Sequence, residues 1–164
     1  MGRPRQAALD ALIAALVQAG VEFIVIGGAA AVLHGAPTTT FDLDVVPRRT
    51  AGNLERLLTL LVELDAVVRD PAGRELRPTS EHLAAGGQLQ LLTDLGPIDL
   101  IGALHDGRTY DELLAHSETL GDETLRVRVV DLATLIEIKA GANRAKDRLL
   151  LPVLLALRDE TSGS

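Results

Sequence analysis

Residues 23–46 read FIVIGGAAAVLHGAPTTTFDLDVV, and the order of parts within them decides the fold. Phe23-Ile24-Val25-Ile26 is a short uninterrupted apolar run closed by glycines, the pattern of a buried strand. Behind Gly27-Gly28 comes Ala29-Ala30-Ala31-Val32-Leu33-His34, a strong helix former that stops at Gly35. Pro37 and Thr38-Thr39-Thr40 then lead into Phe41-Asp42-Leu43-Asp44-Val45-Val46. Apolar and acidic residues alternate there, so a strand places Asp42 and Asp44 on one face, and Pro47 ends it. A strand, a glycine pair, a short helix and an acidic strand in succession indicate an α/β (α+β) protein.

Upstream, Leu9, Leu12, Ile13, Leu16 and Val17 recur at helical spacing, so residues 6–19 form an amphipathic helix that Gly20 terminates. Downstream, Thr50 caps a helix to about residue 64, with Leu54, Leu57, Leu58 and Leu61 on its buried side. Residues 66–68 and 88–92 read as strands separated by a polar loop rich in Gly and Pro. Residues 97–101 alternate as a further strand, with Asp99 pointing away from its apolar neighbours. A helix over 109–116 and a strand over 125–130 follow. Asp131 caps a helix over 132–142, and a last helix spans 145–158, where Pro152 either kinks it or divides it in two. His34 and His82 read as structural or surface residues. Nothing resembling a repeat or a linker interrupts the chain, which reads as a single domain over residues 1–164.

Composition narrows the function classes. Apolar residues make up 47% of the chain but aromatics only 2%, so Leu, Ala, Val and Ile must build the core. An aromatic platform for stacking bases is not expected. The absence of cysteine excludes disulfides, zinc ribbons and thiol catalysis. No apolar run approaches the roughly 18 residues of a membrane span, so no membrane association is expected. The basic start Met1-Gly2-Arg3-Pro4-Arg5 runs into an amphipathic pattern, unlike a signal peptide, and a cytoplasmic location is expected. A net charge of -7 does not suggest a general nucleic-acid binder. From Arg126 to Arg148, however, six basic residues face three acids, leaving that segment at +3 and the remainder at -10. Both lysines of the chain, Lys139 and Lys146, lie in it, so any phosphate-binding surface should involve it.

Taken singly, Asp-x-Asp on a strand is equally a solvated face, and Gly-Gly before a helix is more often a tight turn than a phosphate cradle. Their order here resembles the nucleotidyltransferase superfamily, whose motif is an apolar residue, Gly-Gly or Gly-Ser, about a dozen residues, and Asp-x-Asp. The matching residues are Ile26-Gly27-Gly28 and Asp42-Leu43-Asp44, with Asp99 the best match for a third carboxylate. The resemblance implies a small mixed sheet flanked by helices, with a catalytic core over about 21–130 and C-terminal helices over about 131–158. It also implies two Mg²⁺ ions bound by Asp42, Asp44 and Asp99, and an NTP as substrate. The chemistry gives these residues a reason: two metal ions stabilise the attacking and leaving oxygens of nucleotidyl transfer. Mg²⁺ takes a few carboxylates, waters and substrate phosphates. Gly27 and Gly28 permit close backbone approach to phosphate at a helix N-terminus.

Residues 135–147, LIEIKAGANRAKD, resemble the C-terminal lysine helix of AbiEii-like and MenT-like nucleotidyltransferases, the toxins of bacterial toxin–antitoxin pairs. By that resemblance Lys139 contacts the triphosphate, Arg144 lies in the basic stretch at the nucleotide, and Asp147 orients nearby basic groups or the nucleotide. Gly28 departs from the Ser of many relatives, whose hydroxyl can bind phosphate. Thr38-Thr39-Thr40 stands where Gly-Gly relatives often carry Arg; Thr40 either touches phosphate or starts the strand. The resemblance implies transfer to RNA, such as a tRNA docked along the Arg126 to Arg148 region, and a cognate antitoxin. Transfer to a small hydroxylated molecule and a catalytically silent binding module are the alternatives.

Overall fold

The computed structural model describes residues 2–163. Its centre is a mixed sheet with strand order β3-β4-β5-β2-β1-β7-β6. The chain opens with α1 (Leu9–Gln18), which buries Leu12, Ile13 and Leu16 as the heptad-like spacing requires. It starts later than the sequence pattern suggests, because residues 7 and 8 are used for tertiary hydrogen bonds. Ala7 N donates to Phe41 O at 2.7 Å and Ala8 N to Leu95 O at 2.9 Å.

β1 (Phe23–Ile26) is buried at every position, as an uninterrupted apolar strand must be. α2 (Gly27–Leu33) begins at the glycine pair itself and buries Ala29, Ala30 and Ala31, small residues that let the helix lie close to the sheet. β2 (Leu43–Pro47) returns antiparallel to β1, with Ile26 opposite Asp44. α3 (Ala51–Glu63) is capped by Thr50, whose hydroxyl accepts from Asn53 N. Its buried stripe is Leu57, Leu60 and Leu61 with Asn53; Leu54 and Leu58, expected inside, are only partly buried. Asn53 Oδ1 accepts from Glu22 N at 2.7 Å, and Nδ2 donates to the carbonyls of Glu22 and Arg48, so a buried amide is fully paired. That ties the start of β1 to the end of β2.

β3 (Val67–Val68) is followed by a segment expected to be only a loop, but it contains α4 (Ser80–Ala85). Thr79 and His82 form a reciprocal capping box, with the His82 ring taking the part usually played by Glu. The helix was hidden because it is short and buries only Leu83. β4 (Leu89–Thr93) and β5 (Gly96–Leu100) make an antiparallel hairpin, and β5 runs parallel to β2. α5 (Tyr110–Leu114) leads to β6 (Ser117–Gly121), which pattern reading missed: it is an edge strand with no buried residue and hence no apolar alternation. β7 (Arg126–Val130) pairs with β6 and lies parallel to β1, Val129 opposite Val25.

α6 (Leu132–Ala142) is capped by Asp131, which accepts from Thr134 N at 2.8 Å. α7 (Ala145–Ser162) runs without division through Pro152. Pro152 has no N–H to offer the Arg148 carbonyl, and both residues lie on the exposed side of the helix. Among the described residues no helix is long and apolar enough to cross a membrane.

Candidate active site

The sheet register assembles the carboxylates. Asp44 on β2 faces Ile26 of β1 on one side and Asp99 of β5 on the other. Residues directly opposite on neighbouring strands share a face, so Asp44 and Asp99 project together. Asp42 lies two residues before Asp44, just ahead of β2, and completes the group. One carboxylate oxygen from each of the three lies within 4.8 Å of the others.

The electrostatics of this group are costly. Burial first, then Asp99 and Asp42, push the Asp44 carboxyl up to about 7, against the pull of Lys146 and Lys139. Burial and the Asp42 charge also raise Asp99, against the pull of Arg69. The Asp99 side chain is 6% exposed, and its Oδ1 is buried without a hydrogen-bond partner. An orphaned anionic oxygen inside a cluster of three carboxylates asks for a cation. Three hard oxygen ligands without nitrogen or sulfur fit Mg²⁺ and leave room for waters and phosphate.

Gly27 follows β1 at this point. Its φ is +67°, and a Cβ there would overlap the Asp44 carboxylate, so glycine is required for both backbone and space. At Gly28 a Cβ would lie 2.8 Å from the Thr40 hydroxyl. Thr40 Oγ1 donates to Asp42 O at 3.1 Å. The threonine hydroxyl therefore occupies the space that a side chain at position 28 would need.

A cavity of about 340 Å³ opens beside Asp42 and Asp44, with Gly28, Thr40, Lys139 and Lys146 also on its walls. Lys139 is 7% exposed, and its Nζ donates to Asp147 Oδ1 at 3.0 Å. Arg144 holds the other oxygen, its Nε donating to Oδ2 at 2.8 Å and its backbone N at 3.2 Å. Burial alone would raise Asp147, but these partners outweigh it and hold the carboxyl down at about 2. Of the residues expected at a nucleotide, then, Gly28, Thr40 and Lys139 reach the cavity, whereas Gly27 packs against the Asp44 carboxylate and does not line it. Arg144 and Asp147 do not line it either; Asp147 holds Lys139 from behind, and Arg144 in turn holds Asp147.

Lys146, expected only as part of the basic segment, lines the cavity beside Lys139. One group escaped the sequence reading. Arg69, just past β3, brings Nη2 to 3.8 Å from Asp42 and 3.9 Å from Asp99; nothing in its local sequence marks it.

The stretch from Arg126 to Arg148 is not one face, contrary to the expectation of a continuous docking surface. β7 runs parallel to β1, so Arg126 stands level with the start of β1 while Gly27 follows its end. Arg126 and Arg128 line a separate depression with Glu22, Phe23 and Arg48. His34 is structural, its Nε2 bonded to Val130 O at 2.8 Å.

No protein-family model and no curated protein matches this chain. Among solved structures, a candidate nucleotidyltransferase from Thermotoga maritima superposes with a TM-score of 0.56, covering 90% of each chain at 17% sequence identity. At that identity the likeness establishes the fold, which is that of a nucleotidyltransferase.

Proposed function

We propose that this protein is a metal-dependent nucleotidyltransferase that moves a nucleotide from an NTP to an acceptor hydroxyl. The observation that carries the reading is the meeting of Asp42, Asp44 and Asp99 beside a cavity walled by a glycine-flanked helix start and two lysines. In such a transfer the acceptor oxygen bonds to the α-phosphorus. The bond to the oxygen bridging toward the β-phosphate breaks, and pyrophosphate leaves with the electron pair. Asp42, Asp44 and Asp99 would hold two Mg²⁺ ions, which when bound stabilise the attacking and leaving oxygens.

The chain's own residues do the rest. Lys139 and Lys146 draw the triphosphate into the cavity and offset its charge. Asp147 and Arg144 are positioning residues that fix the Lys139 ammonium. Gly28, on the cavity wall, lets phosphate oxygens approach the backbone at the start of α2, while Gly27 makes room for the Asp44 carboxylate. The Thr40 hydroxyl takes the place of a side chain at position 28. Asp99 completes the carboxylate group on the neighbouring strand and helps to take the acceptor's hydroxyl proton. Residues 21–130 supply the carboxylates, and residues 131–158 supply the lysines, in one working unit.

A narrower form makes the acceptor an RNA such as tRNA and the protein the toxin of a toxin–antitoxin pair. It is supported by the resemblance of residues 135–147 alone. The test is incubation of the protein with labelled NTPs, Mg²⁺ and bulk tRNA or small hydroxylated acceptors, repeated with Asp42→Asn and Asp44→Asn. Label transfer lost in both variants is expected. Label reaching only small acceptors moves the reading to small-molecule modification; no transfer to anything, with no NTP binding, leaves a binding module.

A further inference from the structure

Gln90, Asp99 and Asp44 form one row across β4, β5 and β2, which Arg69, just past β3, extends. Arg69 N donates to Gln90 O at 2.9 Å, Gln90 is opposite Asp99, and Asp99 is opposite Asp44. Positive charge therefore flanks the carboxylates from two directions. Lys139 and Lys146 act on Asp44 from the cavity side, and Arg69 acts on Asp42 and Asp99 from the other. Neither Arg69 nor Asp99 lines the cavity that the lysines wall.

Arg69 is poorly used for its position. Both ion pairs are long, at 3.8 and 3.9 Å, and its guanidinium makes no hydrogen bond among the described residues. Its side chain is 35% exposed. Arginine has five donors in a planar fork suited to phosphate, and here none of them makes a hydrogen bond to a described residue, although Nη2 lies in two long ion pairs. In-line displacement sets the geometry of what they would meet. With the triphosphate in the cavity that the lysines wall, in-line displacement brings the attacking hydroxyl from the side of the phosphorus away from them, and Asp99 and Arg69 both lie outside that cavity. Building on the nucleotidyltransferase reading, we propose that Arg69 binds a phosphate group of the acceptor. The acceptor is then a phosphate-bearing hydroxyl compound, entering past β3, and not a neutral or cationic one. The hydroxyl proton passes to Asp99, the new O–P bond forms, and the displaced pyrophosphate leaves past Lys139 and Lys146.

The test uses the full chain, with Arg69→Gln to remove the charge and Arg69→Lys to retain it. Two phosphate-bearing probes separate the sources: a fluorescein-labelled mixed-sequence oligoribonucleotide read by anisotropy, and ribose 5-phosphate read by calorimetry. A methylphosphonate oligonucleotide is the uncharged control, and a non-hydrolysable NTP with Mg²⁺ reports the other side of the site. Wild type should bind at least one phosphate-bearing probe and bind the uncharged control at least tenfold more weakly. Arg69→Gln should lose at least tenfold in affinity for that probe, Arg69→Lys should recover part of it, and NTP affinity should not weaken by more than about twofold in either variant. Equal probe binding by wild type and Arg69→Gln overturns the proposal; if only Mg²⁺ affinity then rises, Arg69 is a counter-ion of the acids. Wild type that binds NTP but neither phosphate-bearing probe also overturns it, while leaving nucleotidyl transfer in place. Wild type that binds no NTP overturns the functional reading beneath it.

Discussion

Replacing Asp44 with Asn removes one charge from three carboxylates whose oxygens lie within 4.8 Å of one another. In the metal-free protein the Asp44 carboxyl has a pKa of about 7, against 3.8 for the unperturbed group. Because the folded pKa is raised, the folded state holds its proton where the unfolded chain has released it. The contribution of Asp44 to stability is complete below about pH 4, declines as pH rises toward 7, and is lost above that. A displacement of roughly 3 pKa units corresponds to about 4 kcal/mol, which is an upper bound because the carboxylate is only partly buried and its neighbours relax. Asparagine does not titrate and carries no such penalty. Asp44→Asn should thus match wild type near pH 4 and exceed it by about 2–4 kcal/mol at pH 8, with a chelator present. Urea denaturation followed by circular dichroism at pH 4, 6 and 8 reads this directly, provided the m-value is unchanged. Adding Mg²⁺ at pH 8 should stabilise wild type more than the variant and narrow the gap. A variant whose advantage is the same at all three pH values, or that is less stable than wild type at pH 8, would refute the electrostatic account of this cluster.

Four further outcomes are expected. Lys139→Ala should weaken NTP binding by about 1–3 kcal/mol, measured by calorimetry, where Arg158→Ala does not. The same change leaves Asp147 buried with one partner gone and should cost about 3–5 kcal/mol of stability in urea melts. Gly27→Ala should lower stability by more than about 1 kcal/mol and abolish Mn²⁺ binding followed by electron paramagnetic resonance, since the added methyl meets both an unfavourable φ and the Asp44 carboxylate. Asp147, whose folded pKa is depressed to about 2, contributes stability that is complete above its unfolded value of 3.8 and disappears as pH falls through 2; this amounts to about 2 kcal/mol. Acid denaturation of Asp147→Asn should lack that component.

The local chemistry of residues 23–46 was sufficient for a buried strand, a helix start at a glycine pair and an acidic strand, because period and turn residues are properties of neighbours in sequence, although β2 starts at Leu43 and leaves Asp42 just ahead of it. Caps by Thr50 and Asp131 were readable for the same reason. Elements without an apolar signature were not: α4 buries one residue, and β6 buries none. Register is a matter of distant pairing, and it alone sets Asp99 opposite Asp44 and brings Arg69 to the same row. The chain order that made 126–148 look like one basic surface said nothing of the direction in which β7 runs. Its parallel pairing with β1 carries Arg126 and Arg128 away from the carboxylates, while α6 and α7 bring Lys139 and Lys146 back to them. Gly28 looked like a lost hydroxyl until packing placed that of Thr40 in the vacant space. Short-range sterics and periodicity thus determined the parts and the residue types, and long-range strand pairing, driven by burial of the apolar faces, decided which of them meet.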